Sequence, residues 1–300
     1  LLKALGLSEV MNYSFLSEAA LDVFDTGDGE RRLRLPNPVS GDFSTMRPSL
    51  IPQVVETLGR NFSYQNEHAA IFEIGTVFHA HAEGGQGEAV HLCVGLMGHV
   101  GRTSQVERRP VNDEEMMSWI RGVLESLAQG LHAGDRLYSP SASAMFDPKA
   151  CRSIGMDGHV CGTLGLIAPS IRNRWRISEP VAVLEVELMS LLTNAYAVPQ
   201  AREIPMFPAI RRDIAVLVDE SVTHQAITET VRRAAPPELT AVDLFDIFRS
   251  SEIGVGRKSL AYSLLFRSSE RTLKDEEANA FNSAIMKALV KDHNVEIREG

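Results

Sequence analysis

The sequence has few cysteines, no long apolar run and no excess of basic residues. Cys93, Cys151 and Cys161 lie far apart and form no C-x-x-C motif, which argues against a disulfide framework and a zinc knuckle. We therefore expect a reducing, cytoplasmic compartment. No apolar stretch approaches the roughly 18 residues of a membrane span, and no signal peptide is visible. No membrane partner is expected.

The charge balance limits how the chain can meet nucleic acid. The net charge is −9, from 30 Lys and Arg against 39 Asp and Glu. This balance argues against a protein that coats DNA or RNA with its whole surface, and no DNA partner is expected. Most of the negative excess precedes Arg202, so a local contact with nucleic acid stays open in the last third.

The chain is long enough for two domains, because domains cluster near roughly 100 to 150 residues. It has 300 residues, of which 44% are hydrophobic and 23% charged, as in ordinary globular proteins. It opens on Leu1 inside a helix-like stretch, so we expect a fragment of something longer. A proline-punctuated linker, AVPQAREIPMFP, predicts one domain over residues 1–197 and a second over 198–300.

The pattern of elements predicts an α+β fold in both domains. The first part mixes strands and helices without a regular βα alternation, which is typical of an antiparallel sheet domain. Its clearest elements are a strand in SEVMNYSF, a helix in DEEMMSWIRGVLESLAQGL and a hairpin around Asp157 and Gly158. After FPAIRRDIAVLVDE begins a second domain, the order is β-α-β-β-α-β. That order predicts a ferredoxin-like sheet with both helices on one face, and Thr272 with Asp275 predicts a capping box for the last helix.

Several motifs carry a resemblance to one family. FPAIRRDIAVLVDE, LFDIF, GRKSLAYSLLFR and RTLKDEE resemble the ferredoxin-fold anticodon-binding domain at the end of the bacterial phenylalanyl-tRNA synthetase β subunit. GLSEVMNYSF, LPNPVSGDFSTMRPSLIP, IFEIGTVF and VCGTLGLIAP followed by VAVLEVEL resemble the class II synthetase-like domain that precedes it. The resemblance covers essentially the whole chain.

The resemblance implies a catalytically silent first domain that is a scaffold for the α subunit. IFEIG offers no arginine for ATP phosphates, and no Gly-x-Gly-x-Gly-x-x-Arg motif occurs. We expect no cofactor in this part, with ATP and Mg²⁺ in an α2β2 holoenzyme that charges phenylalanine tRNA. No editing activity is expected of this part.

The resemblance also implies a set of anticodon-binding residues: Asp246, Phe248 and Ser259. Asp246 and Phe248 are two apart and so share one strand face. Phe248, where the family more often has tyrosine, can stack on an unpaired base, and a carboxylate can accept from a guanine edge. In the structural alternative, Phe248 is buried under a helix and Asp246 caps a turn.

Basic residues surround the same predicted sheet. Phosphate contacts are predicted for Arg249, Arg257, Lys258, Arg267 and Arg271, with a solvated rim as the alternative. For Arg211 and Arg212, ion pairs with Asp213 or acids of the last helix are favoured over an RNA contact.

Three features of the first domain remain. In TMRPSLIP, Arg47 and Pro48 are predicted at the α-subunit interface; alternatively, Arg47 satisfies a helix end within the subunit. His79 and His81 have a spacing that could bind a metal, but a surface position without metal is favoured. Cys93 is predicted to be a small core residue.

Two other functions compete with the β-subunit interpretation. A stand-alone regulatory paralogue would bind a small effector. A single-chain organellar synthetase would join a catalytic domain to an anticodon domain, and the missing arginine motif argues against it.

Overall fold

The chain folds into two compact units, Leu1–Pro199 and Gln200–Gly300. This computed structural model describes residues 1–24, 32–80, 85–99, 111–193, 195 and 204–298. The predicted domain boundary between residues 197 and 198 lies outside the described residues. Among those described, no helix combines the length and the apolar character needed to cross a bilayer.

The first unit contains nine strands and five α-helices among its described residues. The strands are β1 (Ser8–Glu9), β2 (Phe15–Leu16), β3 (Thr45–Met46), β4 (Ala69–Ala80), β5 (Gln86–Met97), β6 (Arg136–Pro140), β7 (Phe146–Met156), β8 (His159–Ile167) and β9 (Val181–Glu187). The helices are α1 (Glu18–Phe24), α2 (Ile51–Ser63), α3 (Asp113–Leu131), α4 (Pro169–Arg172) and α5 (Leu188–Leu192).

A seven-stranded sheet in the order β1-β4-β5-β9-β8-β7-β6 is the centre of this unit, and only β1 runs parallel to its neighbour. Side chains alternate between its faces. Ile71, Cys93 and Val183 of β4, β5 and β9 pack in the core that contains α2. The next residue of each strand, Phe72, Val94 or Leu184, packs in the core that contains α3. The central strands are therefore covered on both faces.

Most of the predicted elements are present, with one correction in the first unit. The helix α3 begins and ends where the sequence predicts. Asn112 caps its start by accepting from the Glu115 amide at 2.8 Å. The hairpin turn has positive φ at Asp157 and Gly158. The single strand predicted in SEVMNYSF is wrong, since only β1 and β2 form there. The chain leaves the sheet between them because the Asn12 amide binds the Glu73 carboxylate at 3.2 Å instead of a strand.

The second unit has the predicted β-α-β-β-α-β order. Its elements are β10 (Ile210–Asp219), α6 (His224–Ala234), β11 (Leu239–Phe248), β12 (Arg257–Phe266), α7 (Asp275–His293) and β13 (Glu296–Arg298). The strands form an antiparallel sheet in the order β11-β12-β10-β13. This topology is ferredoxin-like.

Both helices pack on one face of this sheet. Ile227 and Val231 of α6 and Ile285 and Leu289 of α7 form one core with alternate residues of the strands. The strand residues in that core are Ile214, Val216, Val218, Leu260, Tyr262, Leu264 and Phe266. The residues between them point to the opposite face, which neither helix covers.

The last helix begins later than the sequence predicts. It begins at Asp275, with Lys274 as its N-cap, so Thr272 is not the capping residue. Glu277, rather than Asp275, reaches back to accept from the Lys274 amide at 2.9 Å. Arg271 binds the same carboxylate through both terminal nitrogens, at 2.8 and 2.6 Å. The bond to Arg271, followed by that to the Lys274 amide, lowers the pKa of Glu277 to about 2.

We predict that Glu277 stabilises the start of α7 in a pH-dependent way. Because the folded-state pKa is about 2 and the ordinary value is 4.5, the stabilisation is complete above pH 4.5 and is lost as the pH falls towards 2. Glu277→Gln should therefore increase hydrogen exchange in the first turn at neutral pH, after correction for the intrinsic pH dependence of exchange. In acid, the exchange rates of the wild-type protein in this turn should approach those of the variant.

Glu276→Gln is the matched control, because Glu276 lies in the same first turn and is exposed. A wild-type protein that keeps its full advantage over Glu277→Gln at pH 2 would contradict the prediction.

Candidate nucleic-acid interface

The candidate site lies on the sheet face that α6 and α7 leave uncovered. Residues directly opposite each other in a ladder share a face. Asp246 pairs with Ala261, and Phe248 pairs with Ser259, whereas Leu260 faces the helices. We call the opposite side the open face, and define it by Asp213, Asp243, Asp246, Phe248 and Ser259.

The three predicted anticodon-binding residues therefore lie on one face. Phe248 is 46% exposed and does not lie under a helix, so the alternative of a buried Phe248 is wrong. Asp246 is also exposed. Ser259 is nearly buried in the central part of the sheet, between Phe248 and Leu217 on the neighbouring strands. An aromatic ring, a carboxylate and a hydroxyl thus share the surface, with the hydroxyl in its floor.

Lys258 does not belong to this surface. It pairs with Val218, which packs on the helices, so alternation sends its side chain to the helix face. Lys258 is buried, and its ammonium donates to the Glu220 carbonyl at 2.8 Å. This position and this partner disfavour the predicted phosphate contact by Lys258.

The other four cations lie at two ends of the β11–β12 hairpin. Arg249 and Arg257 flank the turn next to Phe248, whereas Arg267 and Arg271 follow Phe266 at the far end. A ten-residue strand separates the two groups by roughly 30 Å. Of these four arginines, Arg249 and Arg257 therefore lie at the Phe248 end, and the phosphate contacts of all four stay predictions.

Both of these arginines have acidic partners. Arg249 donates to both carboxylate oxygens of Glu220, the shortest distance being 2.7 Å. That hydrogen bond is the main cause that lowers the pKa of Glu220. Arg257 binds Glu296 at 2.9 Å. Exposed pairs of this kind are weak, about 0 to 1 kcal/mol, so a phosphate could replace the carboxylate.

Arg211 and Arg212 form the predicted ion pairs. Arg211 binds Asp213 at 2.9 Å on the open face. Arg212 faces the helices and binds Asp275 and Asn279 of α7 at 2.5 and 2.8 Å. Arg212 therefore fastens α7 to the sheet.

Arg47 is an interior residue of the first unit. It is 3% exposed, and its guanidinium donates to Glu73 at 2.6 Å, to Gln53 at 3.2 Å and to the Thr76 carbonyl at 3.0 Å. Every one of these partners lies within the unit, which favours a role of Arg47 inside the subunit over the predicted interface contact. Pro48 is half-buried, and its interface role stays a prediction.

A second buried carboxylate, Glu185, holds the start of α2. It accepts from the Ser49 hydroxyl at 2.6 Å and from the Leu50 amide at 2.7 Å, next to His91. Cys93 lies between Glu73 and Glu185 in the strand register. Burial, together with Glu185 and Glu73, raises the pKa of this thiol well above its ordinary value, so Cys93 is the neutral core residue that was predicted.

The histidine pair lies only partly within the residues that the structure describes. His79 is exposed, and His81 lies outside the described residues. No group of three or more His, Cys, Asp or Glu residues that could hold a metal occurs among the described residues.

Comparison with known proteins identifies the two units in turn. Residues 205–298 match the ferredoxin-fold anticodon-binding domain, which defines the class of the second unit. Residues 1–188 match the phenylalanyl tRNA synthetase beta chain CLM domain. The chain therefore belongs to the family of phenylalanine–tRNA ligase β subunits.

Three similar proteins are named phenylalanine–tRNA ligase β subunits. The chain is 30% identical over 299 residues to the phenylalanine–tRNA ligase β subunit of Clostridium acetobutylicum, covering 98% of this chain and 36% of that protein. It is 33% identical over 302 residues to that of Syntrophotalea carbinolica, covering 98% and 37%. For Moorella thermoacetica the identity is 32% over 300 residues, covering 99% and 37%. The chain thus spans little more than a third of the length of these relatives.

We predict that the Arg47–Glu73 pair is essential to the first unit. Glu73→Gln leaves the guanidinium buried without its counter-charge, and breaking a buried pair in this way costs about 3 to 5 kcal/mol. Urea unfolding followed by tryptophan fluorescence measures this loss, because Trp119 and Trp175 both lie in the first unit.

Glu56→Gln is the control, since the Glu56–Arg60 pair is exposed and should cost less than about 1 kcal/mol. Equal midpoints for the two variants would contradict the prediction.

Proposed function

We propose that this chain is the non-catalytic C-terminal part of a phenylalanine–tRNA ligase β subunit, which contacts the α subunit through its first unit and the anticodon region of phenylalanine tRNA through its second. The observation that carries the proposal is the open face. Asp246, Phe248 and Ser259 lie together there, in the unit that matches the anticodon-binding domain. Phe248 supplies an exposed ring for an unpaired base, and Asp246 an acceptor for its edge.

ATP and Mg²⁺ belong to the α subunit in this proposal, which is supported by how the described residues of the first unit use their buried surfaces and charges. Both faces of its central strands are packed, against α2 and α3. Its buried carboxylates, Glu73 and Glu185, are occupied by donors of the chain itself, and Arg47 is bound to Glu73. The unit would therefore be a scaffold, and the chain alone inactive.

The proposed partner surface contains exposed apolar side chains. Met11, Tyr13 and Phe43 line one cleft of the first unit, and Met11 and Tyr13 are largely exposed. The Tyr13 and Phe43 rings meet edge to face, with centroids 5.8 Å apart. Exposed apolar groups of this kind mark protein interfaces. They support a contact with the α subunit. We further propose an α2β2 assembly in the cytoplasm, a reducing compartment in keeping with three buried free cysteines.

We predict that the chain forms a stable complex when co-expressed with the α subunit of the same organism. Size-exclusion chromatography with light scattering should give a mass with equal numbers of the two chains, and Tyr13→Ala should weaken the complex. Separate elution of the two wild-type chains would contradict the scaffold part of the proposal and favour a regulatory protein that acts alone.

We predict that Phe248→Ala weakens binding of phenylalanine tRNA. Loss of a stacked base costs about 1 to 3 kcal/mol, so the Kd should rise roughly 5- to 150-fold in fluorescence anisotropy. Tyr64→Ala, which removes a 77% exposed ring from the first unit, is the matched control and should leave the Kd unchanged. An unchanged Kd for Phe248→Ala would exclude stacking on this ring.

A further inference from the structure

A β-bulge in β11 brings a second aromatic ring to the open face. Leu244 pairs with Tyr262, and Asp246 pairs with Ala261, the next residue of β12, so Phe245 is an extra residue in the ladder. Leu244 faces the helices and Asp246 does not. A bulge of this kind re-aims a side chain that strict alternation would place elsewhere.

The contact with Arg211 fixes the side on which the Phe245 ring lies. Arg211 belongs to β10, and its position opposite Leu265 puts it on the open face with Asp213. Its guanidinium carbon lies 5.8 Å from the centroid of the Phe245 ring, within the distance of a cation–π contact. Asp213 holds the same guanidinium at 2.9 Å. The Phe245 ring is thus supported from one side and is 55% exposed.

From this geometry we infer that Phe245, positioned by Arg211, is a second base-stacking site for the same single-stranded RNA, distinct from Phe248. The inference rests on the proposed function. Phe245 and Phe248 are three residues apart, roughly 10 Å along an extended strand. Each ring therefore receives its own nucleotide, and the RNA crosses the face along β11.

The surface around the rings suits nucleotides better than a protein partner. Asp246 lies between the two phenylalanines in sequence, and Asp243 and Ser263 pair on the same face. The core of a protein interface is depleted of charged residues, so carboxylates between the rings disfavour a protein. An unpaired base offers a π-face for each ring and N–H donors for the carboxylates.

The test combines variants of the 300-residue chain with RNAs that each lack one base. The probe is the anticodon stem-loop of phenylalanine tRNA, prepared intact and with an abasic site at each loop position in turn. Phe245→Ala should raise the Kd for the intact stem-loop roughly 5- to 150-fold. With one of the abasic stem-loops, Phe245→Ala should no longer change the Kd. With a different abasic stem-loop, Phe248→Ala should no longer change it.

Conservative variants separate stacking from a structural role. Phe245→Trp should keep the wild-type Kd, because it retains a planar ring, whereas Phe245→Leu should bind as weakly as the alanine variant. The matched control is Ile247→Ala on the same strand. Ile247 is 48% exposed but pairs with Leu260 on the helix face, so its removal should leave the Kd unchanged.

The outcomes distinguish this inference from the function on which it rests. If Phe248→Ala weakens binding and Phe245→Ala does not, the second site is absent and the proposed function stands. The second site is also absent if one abasic position cancels both effects, or if Phe245→Leu binds like wild type. If the wild-type chain does not bind the stem-loop at all, the RNA part of the proposed function fails, and the second site fails with it.

Discussion

The placement of α6 and α7 on the same face of a four-stranded sheet is the constraint on which the candidate site depends. A strand exposes alternate side chains on opposite sides, so burying one set under the two helices directs the other set away from them. Tyr262 and Leu264 are buried for this reason, while their neighbours on the strands form the open face. The face on which Asp246, Phe248 or Ser259 lies follows from its partner in the ladder. Lys258, one residue from Ser259, therefore lies on the helix face and not on the open face.

The central sheet of the first unit, unlike that of the second, has no open face on its central strands. Its central strands are covered on both faces, and its polar groups are held inside by specific partners. Glu73 ties the loop at Asn12 to Arg47, and Glu185 caps α2 from β9. A buried charge is tolerated only when it is paired and hydrogen-bonded, so these carboxylates fix the relative positions of elements distant in sequence. Both carboxylates therefore have a structural role inside the unit.

The sequence predicts elements well where local signals agree. Helix α3 has acids in its first turn and a capping asparagine, and the β-α-β-β-α-β order follows from the spacing of its apolar residues. The failures lie where the outcome depends on distant residues. Arg47 looks like an interface residue until Glu73, 26 positions away, is seen to hold it. The face of Phe245 depends on a bulge, which adds one residue to the ladder and leaves no clear signal in the side-chain pattern.

The charge of the open face constrains how RNA could approach it. Asp213 and Asp243 flank Ser263 in the register, and Asp246 lies one step further along β11, so the middle of the face is acidic and repels phosphates. A single strand bound there must turn its bases towards the sheet and its backbone towards the rim. At the rim, Arg249 and Arg257 are held by the exposed acids Glu220 and Glu296, which a phosphate can replace at little cost. In the proposed function, affinity would then depend chiefly on stacking and base edges, because a chain of net charge −9 offers few free cations for phosphates.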